Sequence, residues 1–248
     1  MTTSAHEPQG IHNFRELAAY PLKDGRHIRP GMVYRSGALE LMTEDDRSWL
    51  SNDVGLATIL DLRHPDELQS GANSHALAGL VRPISVFPED QRQEDVIAEF
   101  NGLYGPGPTP ARYLHYLDVG GDRLAEAFTV FGEAADYPVL VHCTAGKDRT
   151  GVLIGMLMDV LGASDADIAA EYGLSDASID RLIAYLRSGG RELQGSDAEI
   201  RARLATPPER MAGFIELLRD RYGSAAEFFG DHGVPASTIE RVRELLSD

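Results

Sequence analysis

Apolar residues follow two rhythms along this 248-residue chain. Short runs rich in β-branched and aliphatic residues, bounded by Gly, Pro and Asp, predict buried strands at residues 32–34, 56–60, 81–86 and 138–141. Elsewhere the spacing lengthens to three, four and seven. Residues 112–134 carry Tyr113, Tyr116, Leu117, Leu124, Phe128 and Phe131 at that spacing, with Gly120 and Gly121 as a point where the helix can break. Residues 43–52 open on Thr43 followed by Glu44 and Asp46, which suits an N-cap and a helix N-terminus. Beyond Leu161 the pattern is helical at 165–172, 176–188, 197–204, 208–222 and 235–247, with Pro208 suited to a first turn and Gly189, Gly190 and Gly223 as stops. The stretch GPGPTP at 105–110 propagates neither helix nor ladder and is expected to be a connector or a mobile rim. This alternation predicts an α/β fold, a mainly parallel sheet flanked by helices with a helical C-terminus, in a single domain over 1–248.

Composition narrows the class. A chain that is 43% hydrophobic and 25% charged is globular, and its net charge of −16 opposes non-specific binding to nucleic acid or to an anionic membrane. The charge is uneven. Residues 1–35 hold five basic side chains (Arg15, Lys23, Arg26, Arg29 and Arg35) against three acidic ones, whereas residues 36–190 hold ten against 25. The basic stretch reads either as a solvated face or as a rim that receives an anionic ligand. Residues 1–10 have neither a basic start nor an apolar stretch, so a cytoplasmic protein is expected; export without a visible signal peptide stays open. The longest apolar stretch, 152–158, is far below the roughly 20 residues that cross a bilayer, so no transmembrane segment is expected. The single cysteine, Cys143, forms neither an internal disulfide nor a cysteine-rich zinc site.

The specific chemistry lies in residues 139–154, where an apolar strand runs into a short loop and the loop into an apolar helix. Successive backbone N–H groups at a helix N-terminus favour a tetrahedral oxyanion. The amides of Thr144, Ala145, Gly146 and Lys147 are the expected phosphate cradle, and the same donors and dipole stabilise a thiolate at Cys143. Arg149 supplies a planar fork for two phosphate oxygens, so no metal or other cofactor is required. Gly146 suits a positive φ, and Thr150 is placed to donate its hydroxyl to the departing sulfur. Lysine occurs only at Lys23 and Lys147 beside 21 arginines, so a lysine in this loop reads as a second charge for phosphate. His142 is expected to orient the loop through a hydrogen bond. The leaving group needs a carboxyl within reach, and two are candidates: Asp148 in the loop and Asp61 at the end of a predicted strand. A Walker A loop is excluded, because position 141 is Val141 and Lys147 is followed by Asp148. A rhodanese-type sulfurtransferase fits the arginine spacing and the interior acid less well.

The sequence HCTAGKDRTG at 142–151 resembles the Cys-x5-Arg signature of cysteine-dependent protein tyrosine and dual-specificity phosphatases. Three further segments resemble their atypical bacterial branch: Asn13-Phe14-Arg15-Glu16-Leu17 with the run from Asp24 to Ser36, Asp61-Leu62-Arg63 with Glu67, and Tyr222-Gly223-Ser224. Ala18-Ala19 departs from the Gly-Gly that many such relatives carry. The resemblance implies a tyrosine-phosphatase-like domain with an added helical lid, over 164–205 here, and a phosphocysteine intermediate on Cys143. A loop acid at Asp148 and a lysine at Lys147 resemble lipid-active members. The expected substrate is a phosphotyrosine protein, with dual-specificity and phosphoinositide hydrolysis as the related possibilities. The alternative is a phosphate-binding pseudophosphatase without turnover.

Overall fold

Five strands make one sheet in the order β1-β2-β5-β3-β4: β1 (Arg15–Glu16), β2 (Val33–Ser36), β3 (Thr58–Asp61), β4 (Val81–Pro83) and β5 (Val139–His142). The computed structural model describes residues 6–68, 77–189 and 192–248; the first five residues of the N-terminus and Gly190 of the expected stop lie outside them. β1 pairs antiparallel and the other pairs are parallel, as the alternation predicted. Each predicted strand is present with shifted ends. Three of them end on buried polar residues that face each other in register, Ser36 opposite His142 and Asp61 opposite His142. A reading that ends a strand where polarity begins therefore stops short of the sheet's C-terminal edge, where ligands bind in such sheets.

The helices are α1 (Glu44–Trp49), α2 (Gln93–Tyr104), α3 (Pro110–Thr129), α4 (Arg149–Leu161), α5 (Asp165–Gly173), α6 (Ile179–Ser188), α7 (Asp197–Leu204), α8 (Pro208–Tyr222), α9 (Ala225–Asp231) and α10 (Ala236–Leu246). Thr43 caps α1 in a reciprocal box: its hydroxyl accepts from the Asp46 amide, and the Asp46 carboxylate accepts from the Thr43 amide, each at 3.1 Å. Asp46 also accepts from the amides of Gln9 (2.8 Å) and Gly10 (2.7 Å), which ties the N-terminal segment down. Burial pushes this carboxyl up, but those amides outweigh it and hold it at about 2.

The long helix expected at 112–134 starts two residues earlier and kinks at Gly120 without breaking. A Cβ on Gly120 would lie 1.9 Å from the Val86 carbonyl, so the residue is a close-approach point between α3 and the strand side. α4 runs through the centre of the molecule with nearly every residue buried, which explains its apolar sequence. Phe128 stacks on Phe229 at 4.0 Å in the main cluster, joining α3 to the C-terminal helices. α5 belongs to that core through Ile168 and Tyr172, whereas Ile179, Ile183 and Ile200 of α6 and α7 form a small cluster of their own. The part of 164–205 that stands apart from the core is thus α6 and α7. α2 and α9 had no counterpart in the sequence reading, and no helix among the described residues is long and apolar enough to cross a membrane.

At Ala19 the chain takes φ +61°, the left-handed region that costs an alanine roughly 1–2 kcal/mol and glycine almost nothing. We predict that Ala19→Gly stabilises the fold by up to about 1 kcal/mol and raises Tm by about 2–4 °C in a thermal melt. An unchanged or lower Tm would show that the turn carries no strain.

Candidate active site

Cys143 follows directly on β5 and is 1% exposed; residues 144–148 then turn into the N-terminus of α4. The turn is possible because Gly146 has φ +67°, and a Cβ there would meet the Ser36 carbonyl at 2.2 Å. The outer side of the loop is held by side chains from the N-terminal segment. His12 Nε2 lies 3.0 Å from the Thr144 carbonyl, Asn13 Nδ2 donates to the carbonyls of Ala145 (3.1 Å) and Gly146 (2.8 Å), and Arg35 Nη2 donates to Gly146 (2.6 Å). A trans peptide is planar, with its C=O and N–H on opposite sides. Pulling three consecutive carbonyls outward therefore turns the amides of Ala145, Gly146 and Lys147 inward, which is the donor array an oxyanion needs.

Burial lowers His12 to about 4, so at neutral pH it is neutral and its Nε2–H is the donor to Thr144. Arg35 is fully buried and its Nη1 pairs with Glu171 at 2.5 Å; Arg15 Nε pairs with the same carboxylate at 2.7 Å, and Arg15 Nη1 steadies the Asn13 side-chain oxygen at 2.5 Å. Burial, with Arg35 alongside, pulls Arg15 down to about 10, still protonated at neutral pH. The basic stretch thus divides: Arg15 and Arg35, contrary to both sequence expectations, clamp the back of the loop to α5, whereas Lys23 is solvated, as the first of those expectations had it. Arg26 does sit exposed, paired with Asp24.

Arg149 opens α4 and its guanidinium lies over the Phe87 ring at 5.4 Å. Glu67 grips its two terminal nitrogens, Nη1 at 2.5 Å and Nη2 at 2.9 Å, and also accepts from the Thr144 hydroxyl; the Leu62 carbonyl takes a second Nη1 hydrogen at 3.4 Å. Among the described residues, that leaves the Nε hydrogen and one Nη2 hydrogen on a single edge of the fork for a ligand. Glu67 is itself fixed by the His64 amide at 2.9 Å. Burial pushes its carboxyl up, but the Arg149 charge and hydrogen bonds bring it down to about 2. Its orienting role was absent from the sequence reading, although Glu67 stands four residues after Arg63 in a quoted motif.

The two acid candidates have different surroundings. Asp148 lines the cavity with Cys143 and accepts from Lys147 Nζ (2.9 Å) and the Tyr113 hydroxyl (2.5 Å). Because Tyr113 gives its proton to Asp148, Tyr172 must donate to Tyr113 (2.8 Å), and Arg210 donates to Tyr172 (3.1 Å). Burial pushes Asp148 up, and Lys147 with these donors outweighs it, so the carboxyl sits below its usual range. Asp61 is wholly buried, gripped by Arg63 through Nε (2.9 Å) and Nη2 (2.7 Å), 3.7 Å from His142 Nε2, and does not line the cavity. Burial raises its carboxyl, and His142 and Arg63 together force it well below the ordinary range. Asp61 thus lies at the C-terminal edge of the sheet with its carboxylate taken by Arg63, outside the lining of the cavity that holds Cys143. His142 is buried, with Nδ1 3.4 Å from the Cys143 carbonyl, and the Thr150 hydroxyl is buried without a hydrogen-bond partner among the described residues.

The cavity, about 300 Å³, opens between α2, α3, the 105–108 turn and the α6–α7 pair, with Ile97, Leu182, Leu186 and Leu204 as apolar walls above Cys143. Gly107 and Pro108 make the GPGPTP stretch part of its rim.

Glu67 has a folded-state value of about 2 against an ordinary 4.5, so its contribution is complete above pH 4.5 and is lost as pH falls toward 2. We predict that the stability gap between the parent and Glu67→Gln, read from urea midpoints, narrows by about 2 kcal/mol between pH 6 and pH 3. A gap that does not move with pH would contradict the Glu67–Arg149 pairing.

A model of the tyrosine phosphatase family matches residues 6–248. The triple specificity protein phosphatase PtpB of Mycobacterium tuberculosis is 26% identical over 98% of this chain and 99% of its own length. A tyrosine-protein phosphatase of Nostoc commune is 27% identical over 86% of this chain and 73% of its own. An inositol diphosphatase of Oryza sativa subsp. japonica shares 43% identity over 42 residues, 17% of this chain and 19% of its own. With a cysteine and an arginine framing the loop ahead of α4, and a family match over all but the first five residues, the chain belongs to the tyrosine phosphatase family and is a phosphatase.

Proposed function

We propose that the protein hydrolyses phosphomonoesters through a phosphocysteine on Cys143, with phosphotyrosine proteins and inositol phosphates as the substrate classes to be tested. The observation that carries this is the loop itself: three carbonyls pinned outward, their amides turned inward above a buried cysteine, and an arginine fork preset by Glu67. The ester phosphate is bound by the amides and by the free edge of Arg149. Cys143 Sγ attacks phosphorus in line with the ester oxygen, the P–O bond breaks, and Asp148 delivers a proton to the departing oxygen. Water then attacks the phosphocysteine while the Asp148 carboxylate takes its proton. The P–S bond breaks with the Thr150 hydroxyl donating to the sulfur, and inorganic phosphate leaves. The names of the Mycobacterium and Oryza relatives support considering both protein and inositol phosphates.

Cys143→Ser is expected to reduce p-nitrophenyl phosphate turnover in chelator to background; retained turnover would overturn the assignment. A carboxyl held below its usual range gains its proton only as pH falls. With a poor alkyl leaving group, the parent's advantage over Asp148→Asn is therefore expected to widen from pH 7 to pH 5 and to reach about 10²-fold. Full turnover of that substrate by Asp148→Asn at pH 5 would remove Asp148 from the acid role.

A further inference from the structure

Two cations in the cavity wall, Arg112 and Arg203, are used by none of these steps, and of the two Arg112 is the buried one. Arg112, in the first turn of α3, is 8% exposed and lines the same cavity as Cys143. Its Nη1 donates to the Asn101 side-chain oxygen (2.9 Å) and the Gly107 carbonyl (3.4 Å), the Tyr116 hydroxyl is a further neutral partner of the guanidinium, and its Nε has no hydrogen-bond partner among the described residues. No carboxylate pairs with it there. The other buried cations around the loop each have one: Arg149 has Glu67, Lys147 has Asp148, and Arg35 has Glu171. A buried guanidinium left unneutralised is costly, so its occurrence in a cavity wall points to an anion that arrives from outside.

The surroundings fix where that anion sits. The Arg112 guanidinium lies over Phe100 at 5.1 Å and that of Arg149 over Phe87 at 5.4 Å; the two rings are 5.6 Å apart, with Tyr116 against both. The two forks thus rest on one aromatic cluster at neighbouring positions. Arg203 reaches the cavity from α7, so the cationic surplus over Glu67 and Asp148 falls at Arg112 and Arg203, away from the loop that takes the ester phosphate.

Resting on the phosphatase reading, we propose that Arg112 is a specificity-determining residue that binds a second phosphate carried on the same small scaffold as the scissile one. A planar fork matches phosphate oxygens in pairs. At about 300 Å³ the cavity is at the small end of ligand sites, which suits one compact scaffold carrying both phosphates. The chemistry is that of a bisphosphorylated cyclitol, free or as a lipid headgroup.

The test compares parent, Arg112→Met and Arg112→Lys on a matched inositol monophosphate and bisphosphate, each free and as a short-chain dispersed lipid, and on a phosphotyrosine peptide with acidic neighbours. Arg112→Met is expected to lower the bisphosphate-to-monophosphate ratio of kcat/KM at least about 10-fold, chiefly through KM, with partial recovery in Arg112→Lys. The form, free or lipid, that loses more identifies the source. A ratio within about two-fold of the parent's, or a larger loss on the acidic peptide than on the bisphosphate, would overturn the proposal. Calorimetric binding of inositol bisphosphate to Cys143→Ser, with and without Arg112→Met, reads the subsite without turnover. Failure of the phosphatase reading would appear separately, as a parent protein inactive on p-nitrophenyl phosphate.

Discussion

Three carbonyl oxygens, on Thr144, Ala145 and Gly146, are pulled away from the active site by His12, Asn13 and Arg35, and the rest of the site follows from that pull. A loop of this length without outside anchors would let its peptides rotate, and each rotation would replace an inward donor by an inward acceptor. An inward carbonyl would repel the phosphate it should bind. Anchoring from behind removes that freedom before substrate arrives, which is how preorganised donors stabilise charge without reorganising during the reaction. Gly146 is the one loop position where the anchoring also needs a left-handed backbone, and the Ser36 carbonyl pressed against it leaves no room for a side chain.

Holding such a loop requires charges in the interior, and the protein neutralises them locally. Glu171 receives Arg15 and Arg35 together, Glu67 receives Arg149, and Asp61 with Glu40 receives Arg63. Ion pairs of this kind contribute little net stability against apolar replacements, yet removing one partner leaves an expensive bare charge. For Arg35 and Arg149 the service is geometric: the pair fixes a guanidinium whose other donors hold or face the loop. Arg112 is where this rule lapses, which is why it draws attention as a ligand site.

How much of this was legible before the fold is uneven, for physical reasons. The loop and its chemistry lie within ten consecutive residues, so Cys143, Gly146, Lys147, Asp148, Arg149 and Thr150 could be read together. The anchors lie more than a hundred residues upstream and become meaningful only through the β2–β5 register, which sets Ser36 opposite His142. Arg15 and Arg35 looked like surface charge because nothing local announces Glu171 as their partner. The strand ends were read short where polar residues began, since Ser36, Asp61 and His142 are buried by tertiary pairing and not by their own hydropathy. α9 escaped notice because it is only seven residues long, and β1 because a two-residue strand of Arg and Glu carries no apolar rhythm. Asp61 fitted the acid role by its position at a strand end; the Arg63 fork two residues on is what occupies it.

Hydrolysis by this site would proceed through covalent chemistry at a single sulfur. The most direct measurement is acid quenching of the enzyme during turnover of p-nitrophenyl phosphate, followed by mass spectrometry of its proteolytic peptides. A gain of one phosphoryl group (HPO3) on the peptide that carries Cys143, and on no other, is the predicted result. A phosphoryl group on an aspartate or histidine elsewhere, or turnover with no trapped phosphoenzyme under conditions where the second step limits, would contradict it.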